Sequence, residues 1–537
     1  MGDVGSKEPA ASEAPGINHI GMRRDLSSLF SPVFDLLVIG AGIHGACIAW
    51  DACLRGLRVA LVDRSDFGAA TSANSLGIVH GGLRYLTRAD LPRMLESISE
   101  RSALLRIAPE LVEPLPVLVP TYQGSLVNRA TLGTALRLND LVSIRRNRGL
   151  RADRRIPKGR LISAGEAQRL FSWFPSEGLT GGAIWYDARL VHPERLTFSF
   201  VRSAADHGAI AANYVRVERL LVRDHMAVGA RVTDLEQGSQ FDINAKVVVV
   251  AAGPWTPELL AGTLGRQTVP NPAARALAVN IRVGRTFAKV AVGVQSPLGS
   301  GEDPVCGGHR FIFAAPQDGN TLLGTWYALA RPDDLSTGVE RGAQALLMEF
   351  NQACPGLELT MADVTNYQWG WLRLKDGNER GRATALAERP HVINHGTSGR
   401  VRHLISVEGV KYTTARRVAE RVVSSVFREL DRPSPACRTA EVPLVTSGQK
   451  PLIQADGSVD ALPVRRAVRQ EMALKLGDIV FRRTSPGLAG RLSRATVSEA
   501  AKLAGTELGW DAARQALEID DVLRQQATLA PVEEPVG

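Results

Sequence analysis

The first clear signal along the chain is an apolar run, Phe34 to Ile39, broken only by Asp35 and bounded by glycine, as in a strand buried on both faces. Past Gly40-Ala41-Gly42-Ile43-His44-Gly45 the apolar spacing becomes helical over Ala46 to Leu54, and Leu57 to Val62 predicts a second strand. Val247 to Val250 predicts another. The Pro-rich stretch Asp431 to Pro435 marks a break. Beyond it, Val464 to Leu476, Val497 to Ala504 and Trp510 to Gln526 show helical spacing, with Leu517, Ile519, Val522 and Leu523 as the packed face of the last. The longest buried-looking run, Val247 to Ala252, has the length of one strand, so no membrane span is predicted.

Strand, glycine turn, helix and strand together form a βαβ unit. Gly40 permits a sharp turn, Gly42 lets the backbone approach a pyrophosphate, and Gly45 lets the helix pack closely on the strand. The helix N-terminus offers N–H groups and positive dipole to phosphates, with His44 packing near them. Asp63 closes the second strand, where a ribose hydroxyl pair needs an acceptor. This unit alone leaves open which dinucleotide is bound. The small and hydroxyl residues of Ala69 to Ser75 suit close wrapping of a cofactor by Thr71, Ser72, Asn74 and Ser75.

Composition adds limits. The 537 residues are 45% apolar and 22% charged, a globular balance that excludes disordered, collagen-like and disulfide-framework chains. Five scattered cysteines form no C-x-x-C pair, so no metal site is implied and a reducing, cytoplasmic compartment is expected. Residues 1–32 lack an apolar segment and read as an unfolded tail, and residues 530–537 as a frayed one.

The motifs that follow the glycine turn bear a resemblance. Ala70-Thr71-Ser72 and His80-Gly81-Gly82-Leu83-Arg84-Tyr85-Leu86 resemble the A-T-S and H-G-G-L-R-Y-L of the FAD-dependent glycerol-3-phosphate dehydrogenases. Tyr186 to Val191 is similar to that family's D-D-A-R-L-V, Ala251 to Trp255 to its A-T-G-P-W, and Gly409 to Thr414 to its G-G-K-L-T-T. Glu471, Asp478 and Arg482-Arg483-Thr484 resemble a signature of its C-terminal domain. The resemblance implies an α/β fold: a discontinuous Rossmann-like FAD-binding domain interleaved with a mixed-sheet substrate domain over 33–430, then a helical domain over 431–529. The FAD-binding pieces are expected near 33–120, 180–255 and 385–430.

The resemblance also implies oxidation of sn-glycerol 3-phosphate to dihydroxyacetone phosphate by hydride transfer to FAD, with a quinone or other acceptor. A phosphate dianion calls for arginine forks and lysine charge. Arg84 and Arg389 are expected toward the phosphate, and Arg373 and Lys411 nearer the reacting carbon. His80 and Tyr85 are the proton-transfer candidates. Val217 is expected at the adenine; Ala252, Gly253, Gly409, Val410 and Thr413 complete the cofactor contacts. The family's R-x-x-K-G-x-H block is lost, however. Arg275 to Arg282 carry neither its lysine nor its histidine, and Asn280 is the histidine's candidate replacement. With Trp326, Trp369 and Trp371 gained, a more aromatic and less positive pocket is expected. The alternative is a related FAD oxidoreductase for another polyol phosphate, hydroxy or amino substrate.

The formal charge of +9 suggests nucleic acid at first sight, but Arg145 to Arg160 hold eight basic residues against one acid, Asp153. The rest of the chain therefore carries only +2, and nucleic-acid binding is not expected. The patch follows the apolar pattern Leu132 to Val142, and it reads either as a solvated loop or as a peripheral contact with anionic headgroups. Oligomeric state is left open.

Overall fold

The computed structural model describes residues 21–30, 33–125, 128–265, 275–296, 310–330, 334–375, 385–397, 399–446, 448 and 450–530, without the side chains of Arg84, Thr87 and Arg88. Phe34–Ile39 lies parallel between Gln240–Val250 and Val59–Val62, with Leu37 opposite both Val248 and Ala60. All six of its residues are buried, which explains the near-continuous apolar run. Ile210–Ala212 extends the sheet on one side and Leu404–Glu408 on the other, with His391–Asn394 as an antiparallel edge. The helix Ile43–Leu54 packs between the helices Pro193–Asp206 and Ala415–Glu429. Its small residues Gly45, Ala46, Ala49 and Ala52 let it sit there almost wholly buried.

A second, nine-stranded sheet runs in the order Val364–Leu372, Arg275–Val283, Asn320–Ala330, Phe311–Gln317, Ala291–Gln295, Val112–Tyr122, Leu179–Leu190 and Ile78–Val79, with Arg160–Ile162 also paired to Leu179–Leu190. The helix Leu335–Ala353 covers one face, burying Leu346 and Phe350 against Leu277, Val279 and Leu323. The chain crosses between the sheets more often than expected. Val112–Tyr122 and Leu179–Leu190 belong to the second sheet, although 33–120 and 180–255 were expected in the cofactor domain. Their partners are distant in sequence, and strand patterning does not specify which sheet a strand joins.

The C-terminal helices Ala461–Glu471, Arg494–Leu508 and Ala512–Thr528 share a core of Val464, Ala467, Val480, Val497, Ala501 and Val522. The first stops short of the expected Leu476, because Met472 takes a left-handed conformation with φ 53°. Leu517, expected in the packed face of the last helix, is 64% exposed, while Val522 is buried. Ion pairs fasten this unit to the loop after Asp63 and to the helix Pro193–Asp206. Asp66 accepts from Arg482 at 2.6 Å and Arg483 at 2.8 Å, and Glu471 accepts from Arg195 at 2.8 Å.

Residues 21–30 are folded, against the expected tail. Met22 is buried with its N–H on the Gln470 carbonyl (3.0 Å), Arg24 pairs with Asp234 at 2.6 Å, and Ser27–Phe30 is a helical turn. The charge-rich composition concealed that these polar groups have partners far along the chain. At the other end Ala530 is buried. Among the described residues no helix is long and apolar enough to cross a membrane.

Candidate active site

A cavity of about 580 Å³ lies between the two sheets. The glycine turn forms one wall. Gly40 has φ 98°, and a Cβ there would stand 2.6 Å from the Ala251 carbonyl oxygen. A Cβ at Gly45 would collide with the Gly40 carbonyl, so the close approach of helix and turn leaves no room for a side chain there. The Ile43 N–H donates to the Ser72 hydroxyl at 3.0 Å, which ties the helix start to the following loop. Asp63 lines the cavity and accepts from the Ala41 N–H at 2.7 Å and the Ser65 N–H at 2.9 Å. Burial raises its carboxyl above the ordinary value, against those bonds.

The loop with Thr71, Ser72, Asn74 and Ser75 lines the same cavity and straps the two sheets together. Thr71 donates to the Trp371 carbonyl (3.2 Å), and the Asn280 amide donates to the Asn74 carbonyl (3.2 Å). The other end of the Asn280 amide accepts from Thr325 at 2.7 Å. Its amide thus already has internal partners at both ends, which weighs against its replacing a histidine.

His44 lies against Gly409, where any Cβ would collide with its ring. Its Nε2 is buried without a hydrogen-bond partner, and burial lowers its pKa to about 4, so the imidazole is neutral near pH 7. Val217, Ala252, Gly253, Val410 and Lys411 also line the cavity, while Thr413 is buried beside it, outside the lining. The glycine cradle, the terminal acid and an unmet ring nitrogen fit a bound dinucleotide along this wall.

The His80–Tyr85 turn is held from beneath. Asp187 accepts from the Gly81 N–H at 2.6 Å, from Arg101 at 3.0 Å and from the Trp185 indole at 3.1 Å. Gly82 is left-handed (φ 80°), with Tyr85 packed where a side chain would go. His80 meets Tyr85 edge-on, centroids 5.8 Å apart, and Lys411 donates to the Tyr85 hydroxyl. His80 and Tyr85 stand behind the lining, and Lys411 connects them to it. Arg373 lines the cavity. Arg389 is exposed and lies outside the lining, and the Arg84 side chain lies outside the described residues.

Of the three tryptophans, only Trp371 lines this cavity. Trp326 packs against Gly342 of the covering helix, and Trp369 borders a separate cavity of about 200 Å³ facing the C-terminal unit. Sequence reasoning missed Glu408, which lines the cavity beside Arg373 (3.5 Å), and Trp255, whose ring lies under Arg64 at 4.4 Å. For Glu408 a signal was present: an acid directly before the Gly409 motif, at a strand end.

Comparison with known proteins accords with this geometry. Residues 35–421 match the family described as FAD dependent oxidoreductase, and residues 437–515 match the C-terminal domain of alpha-glycerophosphate oxidase. The chain is 31% identical to glycerol-3-phosphate dehydrogenase of a Synechocystis strain, over 80% of this chain and 76% of that protein. It is 28% identical to aerobic glycerol-3-phosphate dehydrogenase of Bacillus subtilis, over 78% of this chain and 72% of that protein. It is 31% identical to human mitochondrial glycerol-3-phosphate dehydrogenase over 74% of this chain, and it spans about half that protein's length, 53%. The Bacillus halodurans glycerol-3-phosphate dehydrogenase structure, complexed with FAD, shares the fold with a TM-score of 0.70 at 22% identity, covering 95% of this chain and 98% of that one. With the βαβ cradle, the two-sheet cavity and the helical C-terminal unit, these matches establish that the chain belongs to the FAD-dependent oxidoreductases, in the glycerol-3-phosphate dehydrogenase branch.

Proposed function

We propose that this chain oxidises sn-glycerol 3-phosphate to dihydroxyacetone phosphate and passes the electrons to a membrane quinone. The observation that carries the reading is the presence of both Arg373 and Lys411 in the lining of one cavity, with Lys411 bonded to Tyr85. FAD would be held by Gly40, Gly42, Asp63, Thr71, Ser72, Val217 and the Gly409–Val410 backbone, and when bound it supplies the hydride acceptor. The Arg373 guanidinium orients an anionic substrate as a fork. The Lys411 ammonium lowers the energy of an alkoxide developing at the reacting carbon. The Tyr85 hydroxyl, with His80 edge-on behind it, marks the side on which the hydroxyl proton leaves. The strap at Thr71 and Asn74 fixes the distance between the two walls and so the orientation of what lies between them.

Mixing the purified flavoprotein anaerobically with glycerol 3-phosphate tests the reading: prompt bleaching of the flavin is expected, and an unchanged spectrum sinks it. A second reading, a different hydroxy or amino substrate, is favoured by one observation, the absence of the family's lysine and histidine from Arg275 to Arg282. Reduction by such a compound and not by glycerol 3-phosphate would select it. The quinone acceptor draws support from an apolar, basic surface formed by Leu138, Leu141 and Ile144 beside Arg145 and Arg148, all exposed.

A further inference from the structure

Glu408 ends the strand Leu404–Glu408 and its side chain is only 12% exposed, yet it lines the cavity. Its charged neighbours sit at longer range than a hydrogen bond: Arg373 Nε is 3.5 Å from Oε2, and His391 Nδ1 is 3.9 Å from Oε1. Arg275 also feels its charge. Among the described residues its charged partners are these two at ion-pair range and no hydrogen bond reaches either carboxylate oxygen, whereas each can accept two. With one oxygen at ion-pair distance from Arg373 and the side chain in the cavity lining, the carboxylate keeps acceptor capacity for a donor that arrives from the cavity side. The neighbours on that wall do not offer one cheaply. Asn280 and Thr325 bond each other, and Lys411 bonds Tyr85.

We propose that Glu408 is a specificity-determining residue that accepts a hydrogen bond from a substrate hydroxyl next to the reacting carbon, so that the site requires a vicinal diol. The inference rests on the polyol-phosphate reading and deepens it. Arg373 and Lys411 attract the anion, and Glu408, one residue before the Gly409–Val410 wall, selects for the hydroxyl on the neighbouring carbon. The same carboxylate repels a second anionic group at that position, so a carboxylate-terminated analogue is excluded by charge. A site built to bond a substrate hydroxyl rejects the analogue without it far more strongly than an apolar pocket rejects a missing methylene.

The test compares glycerol 3-phosphate with propane-1,2-diol 1-phosphate, which keeps the secondary alcohol and the phosphate and lacks only the terminal hydroxyl. In the wild-type flavoprotein, the ratio of kcat/KM values is expected to favour glycerol 3-phosphate by roughly 100-fold or more. In Glu408→Leu the ratio is expected to collapse by at least about tenfold, through loss on glycerol 3-phosphate and little change on the deoxy analogue. Glu408→Gln, which keeps an acceptor oxygen, should fall between. Flavin content of each variant reports folding, and a purely structural role would lower both substrates together and leave the ratio unmoved. An unchanged ratio in Glu408→Leu overturns the role of Glu408 alone. Reduction of wild-type flavin by neither phosphate overturns this inference together with the reading on which it rests.

Discussion

His44 illustrates how burial assigns a role to a single side chain. Its folded pKa of about 4 lies below the ordinary 6.5, so protonation favours the unfolded chain between these values. The stability it contributes is complete above about pH 6.5 and is lost as pH falls toward about 4. Melting temperature followed from pH 7.5 to 4.5 should therefore drop more in the wild type than in His44→Asn; parallel profiles would show that the ring is already protonated or solvated. Lys411 makes a different prediction. Lys411→Met removes the charge beside the Tyr85 hydroxyl, and flavin reduction by glycerol 3-phosphate should slow by about 10²–10³-fold with FAD still bound. Stopped-flow bleaching measures it, and a loss under tenfold would exclude a role in stabilising the reacting oxygen. The glycine turn was legible in the sequence because its contacts are local. Glu408 was legible only as an acid before the Gly409 motif, because what gives it meaning is Arg373 across the fold, and Asp187 likewise acts on Gly81 from 106 residues away.

At the scale of elements, the loop from Asp63 to Ser75 does more than wrap a ligand. It begins at the first sheet, strikes the second at Trp371 and Asn280, and is anchored at Asp66 by Arg482 and Arg483 of the C-terminal unit. Burial alone would raise the Asp66 carboxyl, but the two guanidiniums hold it well below the ordinary range. Its stabilisation is present above the ordinary carboxylate pKa of 3.8 and is lost as pH falls below it. Asp66→Asn leaves two buried guanidiniums undercompensated and should cost ~3–5 kcal/mol. Urea unfolding should show the lowered midpoint, and a cost below about 1 kcal/mol would mean that the arginines find other partners. The strands and helices themselves were visible as apolar periods, but the facing of Trp326 was not. A register shift between Val279 and Asn280, against the strand that carries Trp326, upsets simple two-residue alternation.

For the molecule as a whole, the basic patch is smaller than its count of arginines. Arg146 is buried with Asp140, Arg151 pairs with Glu110 and Asp153, Arg154 with Asp153, and Arg160 with Glu166. Arg145, Arg148, Arg155 and Lys158 are exposed and have no acidic partner among the described residues. Beside them the helix Arg129–Val142 buries one residue, Leu136, and leaves Leu138 43%, Leu141 69% and the following Ile144 78% exposed. A surface of this kind binds anionic membranes through apolar burial and charge together. The protein should float with anionic vesicles at low salt, and Leu141→Asp with Ile144→Asp should abolish flotation while flavin reduction in solution persists; equal flotation would remove the idea. The sequence revealed the charge run but not how much of it is spent internally, since Glu110 and Glu166 lie outside the run.

The anchoring of the loop at Asp66 also imposes an order on biosynthesis. The first sheet, the glycine turn and both walls of the cavity leave the ribosome well before Arg482 and Arg483 do, so the loop across the cavity lacks its far anchor until residue 483 has been made. Cofactor capture should therefore wait for the C-terminal unit, and a chain truncated before residue 482 should emerge with its cradle formed and its flavin missing.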